Sequence, residues 1–375
     1  MTTSERRVRL QEPPERKVFQ RELRPWRRVS TAEDALLVGQ SSISISLEYM
    51  DELPSSCCIE VIPFQVACGK AVPPTDVSLD PESGWIKCQI TVPAGGWYFI
   101  RVTSRWSDGT DSKSDLGQFA VGDVYVIAGQ SYAGNSSESL LHVRDPLDRT
   151  VAYDYRRDAW VVAHDPMPDR TDAALVRGAF RGSVWPPCMN ALQPLVGVPI
   201  GLVQFIHVAP VAEWAKGAGV YEEFFDILRR LKGFRAILWA HGESDLICGT
   251  SAEDYQSAMV ALKASLEGDL STQIQWMMAY SSIHPCVERR NLNDNPIRDA
   301  QLNLIRNEGF LRGPDTDCLD EPFRRRKSLG GHFSYAGQRM AGLLWFAAIW
   351  AEIYAPQILR FSTEDSDWNA RVTGQ

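Results

Sequence analysis

The sequence predicts an α/β protein in which a small antiparallel β-sandwich precedes an α/β/α domain with a parallel sheet. Three observations predict this class. From about residue 35 to 120, short β-branched and aromatic runs alternate with Pro, Gly, Asp and Ser turns, without helical periodicity. After Gly122, near-continuous apolar runs alternate with helical segments, as in parallel strands joined by helices. The length of 375 residues fits two domains of this kind.

We expect four segments along the chain: a charged arm (1–34), the β-sandwich (35–120), the α/β domain (121–360) and a C-terminal tail (361–375). The first 30 residues carry nine Lys or Arg against four Glu and lack the apolar stretch of a secretory signal. This composition predicts a partly disordered arm, with tethering to an anionic partner as the alternative. Without a signal, the expected location is cytoplasmic.

Composition argues against nucleic acid as a partner, a membrane span, and a metal site. The formal net charge of −8 does not favour nucleic acid, because the protein's own field would repel phosphates. No apolar stretch reaches the length of a membrane span. The eight cysteines are scattered, without CxxC or a Cys/His cluster, so we expect buried thiols rather than disulfides or a metal site. No cofactor is expected, and the sequence does not indicate an oligomeric state.

The elements of the α/β domain follow from apolar runs and helical stripes. The predicted strands are 124–128, 199–206, 235–240 and 273–280. Predicted helices lie at 222–233, 251–268, 295–309 and 335–354. Ser251, with Asp254 three residues later, resembles a helix-capping pair. In open parallel sheets, binding sites form at the carboxyl ends of the strands, so polar residues that come directly after these runs are candidates for chemistry.

Three polar clusters are candidates for this edge of the sheet. Ser131 follows the first strand, in "AGQS". His241 and Glu243 follow the strand 235–240, in "LWAHGESDL". His332 lies in a Gly-Gly turn just before the last helix, in "SLGGHFSYAGQ". Each cluster alone is also compatible with a turn residue, a buried histidine or a helix cap.

The order of these residues suits a serine hydrolase, with serine early and histidine near the C-terminus. Ser131 would attack a carbonyl carbon. His332 would take the serine proton and return it to the leaving alcohol, while a carboxylate orients the imidazole. The α/β-hydrolase pattern GxSxG does not fit, because "GQSYA" lacks the last glycine and the next residues, "GNSSES", are a poor helix start.

Several blocks together resemble the sialate O-acetylesterase-like branch of the SGNH hydrolases, which is similar to carbohydrate esterase family 6. These blocks are "VGDVYVIAGQSY" for the nucleophile, "HGES" after the third strand and "LGGHFSYAGQ" near the end. "GVPIGLVQF", "VAEW" and "IRDAQ" also resemble this branch. The resemblance implies an SGNH-type fold, with Ser131 as nucleophile and His332 as general base.

The same resemblance implies an oxyanion hole and a pocket. The expected donors are the backbone N–H of Ser131, a backbone N–H after the second strand, which aligns with Val208, and a side chain of the third block, which is His241 here. We expect Gln130 and Tyr132 to line the substrate pocket.

This sequence departs from the family pattern at four places. Tyr132 replaces the Asn that follows the nucleophile, and His207 and Val208 replace a Gly-Gly pair. His241 replaces a Gln. Leu329 replaces the Asp that is expected three residues before the histidine.

The missing Asp leaves open how His332 is oriented. Glu243 is the first candidate for the carboxylate, and Asp317 is the second. The alternatives are a Ser–His dyad and a purely structural role for Glu243. The most consistent interpretation is a serine esterase that removes O-acetyl groups from a carbohydrate. An esterase for another acyl group or a non-sugar alcohol, and a carbohydrate-binding relative with little catalysis, are the alternatives.

Overall fold

The computed structural model describes residues 8–22, 39–50, 52–64, 69–78, 80, 83–169, 182–283, 294–325 and 331–356. The predicted tail and much of the predicted arm lie outside these residues. The strands are β1 (Val8–Glu12), β2 (Val18–Gln20), β3 (Gln40–Tyr49), β4 (Ser56–Pro63), β5 (Val72–Val77), β6 (Trp85–Pro93), β7 (Gly95–Arg105), β8 (Asp111–Gly129), β9 (Thr150–Asp154), β10 (Ala159–Val162), β11 (Ile200–Ile206), β12 (Ala236–Ala240), β13 (Trp276–Tyr280) and β14 (Leu311–Asp315). The α-helices are α1 (Trp185–Val196), α2 (Gly219–Leu231), α3 (Glu243–Cys248), α4 (Ala252–Leu270), α5 (Pro296–Asn307) and α6 (Tyr335–Ile349).

The chain forms two compact units. The first comprises residues 1–123, 157–161 and 196–201, and the second comprises the rest. In the first unit, β3 pairs antiparallel with β1 and β6. A second set of antiparallel pairs joins β4 to β5 and β7, and β7 to the first part of β8. Both sets contribute side chains to one hydrophobic cluster, to which β3 supplies Ile43, Ile45 and Leu47 at alternate positions.

Residues 8–22 of the predicted arm are described by the structure and contain two strands. β1 pairs with β3, and β2 runs parallel to β8. Arg21 follows β2 and is fully buried, where its guanidinium binds both carboxylate oxygens of Asp123 at 3.1 and 2.8 Å. A run of positive charge usually indicates a solvated segment. Here one arginine of the run is removed from water and paired with a buried carboxylate, which the charge pattern alone does not indicate.

The second unit is built on a sheet with the strand order β9-β11-β8-β12-β13-β14. The last part of β8 pairs parallel with β12, and Gly129 lies opposite Ala240. β12 and β13 are also parallel, as are β13 and β14. Parallel pairing brings the carboxyl ends of these strands to one edge, next to the predicted polar clusters.

Helices α2, α4 and α5 contribute to one hydrophobic cluster with alternate residues of the sheet, such as Ile237 and Trp239 of β12. Tyr125 of β8 precedes Val126, which belongs to this cluster, and the Tyr125 hydroxyl bonds that of Tyr354, in the π-helical turn after α6, at 2.7 Å. As expected, Ser251 caps α4 by accepting a hydrogen bond from the Asp254 N–H at 3.0 Å. Among the described residues, no helix has the length and hydropathy needed to cross a membrane.

Candidate active site

Ser131 lies in the turn that ends β8. Gly129, the last residue of the strand, has φ +135°, and this conformation redirects the chain. The turn is closed by hydrogen bonds from Ala133 N–H to Gln130 C=O and from Gly134 N–H to Ser131 C=O, at 2.9 and 3.1 Å. The Ser131 side chain is therefore held at the carboxyl edge of the sheet, where it remains partly exposed.

His332 lies in the loop before α6 and faces Ser131. Its Nε2 is 2.9 Å from the Ser131 Oγ. The loop is fixed on both sides, because Arg325 N–H donates to the His332 carbonyl at 2.8 Å and the Ser334 hydroxyl caps α6. Leu329 and Gly330 lie outside the described residues. The structure thus brings the two predicted reactive residues into contact with the geometry of a nucleophile and its base.

Two backbone donors next to Ser131 are available to a ligand. Within the described part of the chain, neither the Ser131 N–H nor the Val208 N–H donates a hydrogen bond. Val208 follows β11, and its side chain is 65% exposed. These are the two backbone groups that the sequence predicted for an oxyanion hole.

The Gln130 side chain joins three loops of the site. Its Nε2 donates to the Val208 carbonyl at 2.7 Å and also bonds the Ser244 hydroxyl. Its Oε1 accepts from the N–H groups of Gly242 and Ser244 at 3.2 and 3.1 Å. The expectation that Gln130 lines the pocket therefore does not fit the structure, because the residue is 2% exposed and its amide is used within the protein.

Tyr132 is also buried, with 4% of its surface exposed. Its ring packs against His332 with centroids 5.2 Å apart, and its hydroxyl donates to the Gly331 carbonyl at 3.3 Å. A side chain in this position cannot offer much surface to a substrate. Tyr132 therefore contacts the loop that contains His332 instead of forming the predicted pocket wall.

His241 is a core residue, contrary to its expected role as an oxyanion donor. The ring is fully buried and stacks on Trp239 at 4.9 Å. Burial lowers the pKa of His241 to about 4, so the ring is neutral at neutral pH. Its Nε2 lies 2.9 Å from the Ala209 carbonyl, and because that oxygen only accepts, Nε2 carries the single proton. No N–H of the neutral ring is left for a substrate oxyanion.

Neither candidate carboxylate makes a hydrogen bond to His332 in the described part of the chain. Glu243, 3% exposed, accepts from the Ser281 hydroxyl at 2.6 Å through Oε1, and its Oε2 has no hydrogen-bond partner there. Asp317 accepts from the N–H and the hydroxyl of Ser282 and from the Ile283 N–H, at 2.7 to 3.1 Å. The expected Glu243–His332 contact is absent because the carboxyl turns toward the end of β13.

Burial raises the pKa of Glu243 to about 8 from an ordinary value of 4.5, although the Ser281 hydrogen bond opposes this rise. The folded state therefore binds this proton more tightly than the unfolded chain does. The stability that the carboxyl contributes is fully present below about pH 4.5 and is lost as the pH rises through about 8.

We expect Glu243→Gln to remove this loss. The margin by which its unfolding free energy exceeds that of wild type should grow by about 4 kcal/mol between pH 5 and pH 9. Urea denaturation across this pH range measures the margin. Glu253→Gln, which changes an exposed carboxyl, is the control and should follow the wild-type profile. A margin that stays constant with pH would contradict a raised folded-state pKa.

Sequence reasoning missed several residues that build the site. Ser281 follows β13 and holds Glu243, while Ser244 links Gln130 to Val208. Arg324 places its guanidinium 4.7 Å from the Tyr132 ring centroid. Ser244 could have been identified from the sequence, since it belongs to the "HGES" block. Arg324 lay in a basic run, with nothing local to distinguish it from a solvated surface.

Comparison with known proteins gives one family-level match. Residues 121–348 match the family model described as carbohydrate esterase, sialic acid-specific acetylesterase. The matched range contains β12, β13, β14 and nearly all of the described α-helices, together with Ser131 and His332. It begins within β8, near the end of the part of this strand that pairs with β7.

The chain is also similar to individual proteins. A probable carbohydrate esterase of Arabidopsis thaliana is 25% identical over 189 residues, which is 49% of this chain and 68% of the relative. An X-ray structure of an Arabidopsis thaliana protein covers 61% of this chain and 98% of its own, with 18% identity and a TM-score of 0.46. A peptidoglycan O-acetylesterase structure covers 92% of this chain and 75% of its own, with 10% identity and a TM-score of 0.31.

Proposed function

Because the chain belongs to the family of sialic acid-specific acetylesterases among the carbohydrate esterases, we propose that it is a serine esterase that removes O-acetyl groups from a carbohydrate. The observation that carries the proposal is the contact between the Ser131 Oγ and the His332 Nε2 at 2.9 Å. This contact supplies a nucleophile and a base at the edge of the sheet where substrates bind in open α/β folds.

In the first half of the reaction, His332 accepts the Ser131 proton as the Oγ attacks the acetyl carbonyl carbon. The carbonyl oxygen becomes an oxyanion, which the N–H groups of Ser131 and Val208 bind. When the intermediate collapses, the bond to the sugar oxygen breaks. His332 gives its proton to that oxygen, so the sugar leaves as an alcohol and Ser131 carries an acetyl ester.

In the second half, a water molecule attacks the acetyl ester. His332 takes a proton from the water and returns it to the Ser131 Oγ as acetate leaves, which restores the free enzyme. Glu243 does not contact the reacting groups in this mechanism. Its carboxyl binds Ser281 and so fixes the start of α3. The Gly242 and Ser244 N–H groups of this segment bind Gln130, next to the nucleophile.

We also propose a more detailed fold for the two parts of the chain. The antiparallel strands between about residues 35 and 120 form a β-sandwich, and residues 121–360 form an SGNH-type three-layer domain. Support comes from the shared hydrophobic cluster of the first unit and from the parallel β8-β12-β13-β14 pairing of the second. The substrate partner is an acetylated carbohydrate, and the proposed location is the cytoplasm.

A second candidate is an esterase for a non-sugar alcohol or another acyl group. Val208, at 65% exposure, stands where the family pattern has glycine, and Ile247 of α3 is 49% exposed. Ser244, on the same helix as Ile247, donates its hydroxyl proton to the Val208 carbonyl at 2.6 Å. The exposed apolar side chain of Val208, next to the proposed oxyanion donors, favours an alcohol with an apolar face.

Rates of ester hydrolysis on three substrates distinguish these candidates. We expect wild-type protein to act on O-acetylated sugars with a higher kcat/KM than on p-nitrophenyl acetate, and to act poorly on p-nitrophenyl butyrate. A preference for aryl esters, or for the longer acyl chain, would support the second candidate. Equal and negligible turnover of all three by wild type and Ser131→Ala would overturn both, and would leave a carbohydrate-binding protein.

A further inference from the structure

Tyr132 contacts the general base in two ways. Its ring lies against the His332 ring, with centroids 5.2 Å apart and planes inclined by 52°. Its hydroxyl donates to the carbonyl of Gly331, the residue directly before His332, at 3.3 Å. Gly331 has φ +61°, a left-handed conformation that sets the direction in which the chain enters His332. The Tyr132 hydroxyl therefore binds the peptide group that orients the histidine. One side chain therefore restrains both the imidazole and its backbone.

Tyr132 also follows Ser131 directly in the chain. The turn that sets the position of the Ser131 Oγ therefore also sets the surface on which His332 rests. Because the two groups that must exchange a proton share this support, the 2.9 Å separation of Oγ and Nε2 depends on the Tyr132 side chain as well as on the loops.

The Tyr132 ring is itself held from a second direction. The Arg324 guanidinium carbon lies 4.7 Å from its ring centroid, and the Phe333 ring lies 5.1 Å away. Arg324 is anchored in turn, because its Nε and Nη2 donate to the carbonyls of Leu319 and Thr316 at 2.7 and 2.9 Å. These contacts leave the ring little freedom to rotate away from His332.

We propose that Tyr132 is a positioning residue for the general base, a proposal that rests on the serine mechanism described above. Ring packing against His332 is the larger part of its effect, and the hydroxyl clamp on Gly331 is the smaller part. The 4% exposure of Tyr132 fits this role and leaves almost no surface for substrate contact. Changes at Tyr132 should therefore act on the chemical step rather than on substrate binding.

The test compares Tyr132→Phe with Tyr132→Leu. The first variant keeps the ring and loses the hydroxyl, and the second loses both. For p-nitrophenyl acetate, we expect kcat to fall about fivefold in Tyr132→Phe and about 100-fold in Tyr132→Leu, with KM nearly unchanged. Tyr221→Phe and Tyr221→Leu are the matched controls, because Tyr221 is equally buried but donates its hydroxyl to Asp269. Both controls should keep the wild-type kcat per active site.

A fluorophosphonate separates this proposal from the proposed function, because it reacts with an activated serine whatever the natural substrate is. The end point of labelling counts the folded active sites, and the rate constant reports activation of Ser131. We expect the rate constants per site to fall in the order wild type, Tyr132→Phe, Tyr132→Leu, even if no acetylated sugar is turned over. A Tyr132→Leu rate constant equal to that of wild type would overturn the proposal. So would a Tyr132→Phe rate constant as low as that of Tyr132→Leu, or a wild-type Ser131 that does not react.

Discussion

Replacing Ser131 with alanine is expected to lower kcat for ester hydrolysis at least about 1,000-fold, because in the proposed mechanism the acyl-enzyme forms on the Ser131 hydroxyl. His332→Ala should cause a loss of similar size, since the Ser131 hydroxyl is a poor nucleophile without a base at 2.9 Å. The double variant should be hardly slower than either single variant, because the two residues act as one unit. Initial rates with p-nitrophenyl acetate measure all three.

The comparison requires that the variants are folded to the same extent as wild type. Thermal unfolding of Ser131→Ala should occur within a few degrees of wild type, because the lost hydroxyl is partly exposed. Ser136→Ala is a suitable control variant for a serine of the same loop: its hydroxyl donates to the Ser131 carbonyl, yet it has no part in the proposed chemistry. Additive losses in the double variant would contradict a joint Ser131–His332 mechanism.

Replacing Gly129 with alanine is expected to destabilise the protein by about 4 kcal/mol or more, the range of severe backbone clashes. Gly129 has φ +135°, and a Cβ at this position would fall well inside contact distance of the Ala240 carbonyl on β12. That carbonyl already accepts a hydrogen bond from Gln130 N–H at 2.9 Å, so it cannot move without opening the turn that holds Ser131.

Gly217→Ala is the matched control for this effect. Gly217 also has positive φ, at +91°, but no atom lies within 4 Å of the Cβ that would be added. It should therefore cost only about 1 kcal/mol, from backbone strain alone. Urea denaturation gives both values. Equal losses at the two positions would show that the close approach of β8 and β12 does not constrain Gly129.

The meeting of Ser131 and His332 could be predicted from the sequence because simple rules govern both positions. Ser131 follows an apolar run that forms a parallel strand, and the carboxyl ends of parallel strands share one edge. His332 precedes a capped helix, so its loop lies at an end of that helix. Order, spacing and the family resemblance were enough to place both residues in one site.

The role of His241 was missed although the sequence carried a signal. Ile237 and Trp239 occupy alternate positions of β12 and both belong to the core. His241 continues the same alternation, which predicts a ring on the core side, stacked on Trp239. The family motif suggested a catalytic role for His241, whereas the alternation along β12 indicated that its side chain points into the core.

The contacts of Glu243 and Tyr132 could not be predicted in the same way. Glu243 bonds Ser281, which is 38 residues away in the chain, and Tyr132 bonds Gly331, which is 199 residues away. No local pattern specifies which of several loops at the edge of a sheet will touch. The missing Asp at position 329 drew attention to a substitute carboxylate, but side-chain direction in packed loops depends on tertiary contacts.

Trapping the acyl-enzyme shows directly whether Ser131 is the nucleophile. Wild-type protein is mixed with an acetylated sugar, quenched in acid within the first turnover, digested and examined by mass spectrometry. We expect an acetyl group on the peptide that contains Ser131, on Ser131 itself, and no acetylated peptide from Ser131→Ala. Acetate release with no acetyl group on Ser131, or at an undiminished rate in Ser131→Ala, would contradict the proposed mechanism.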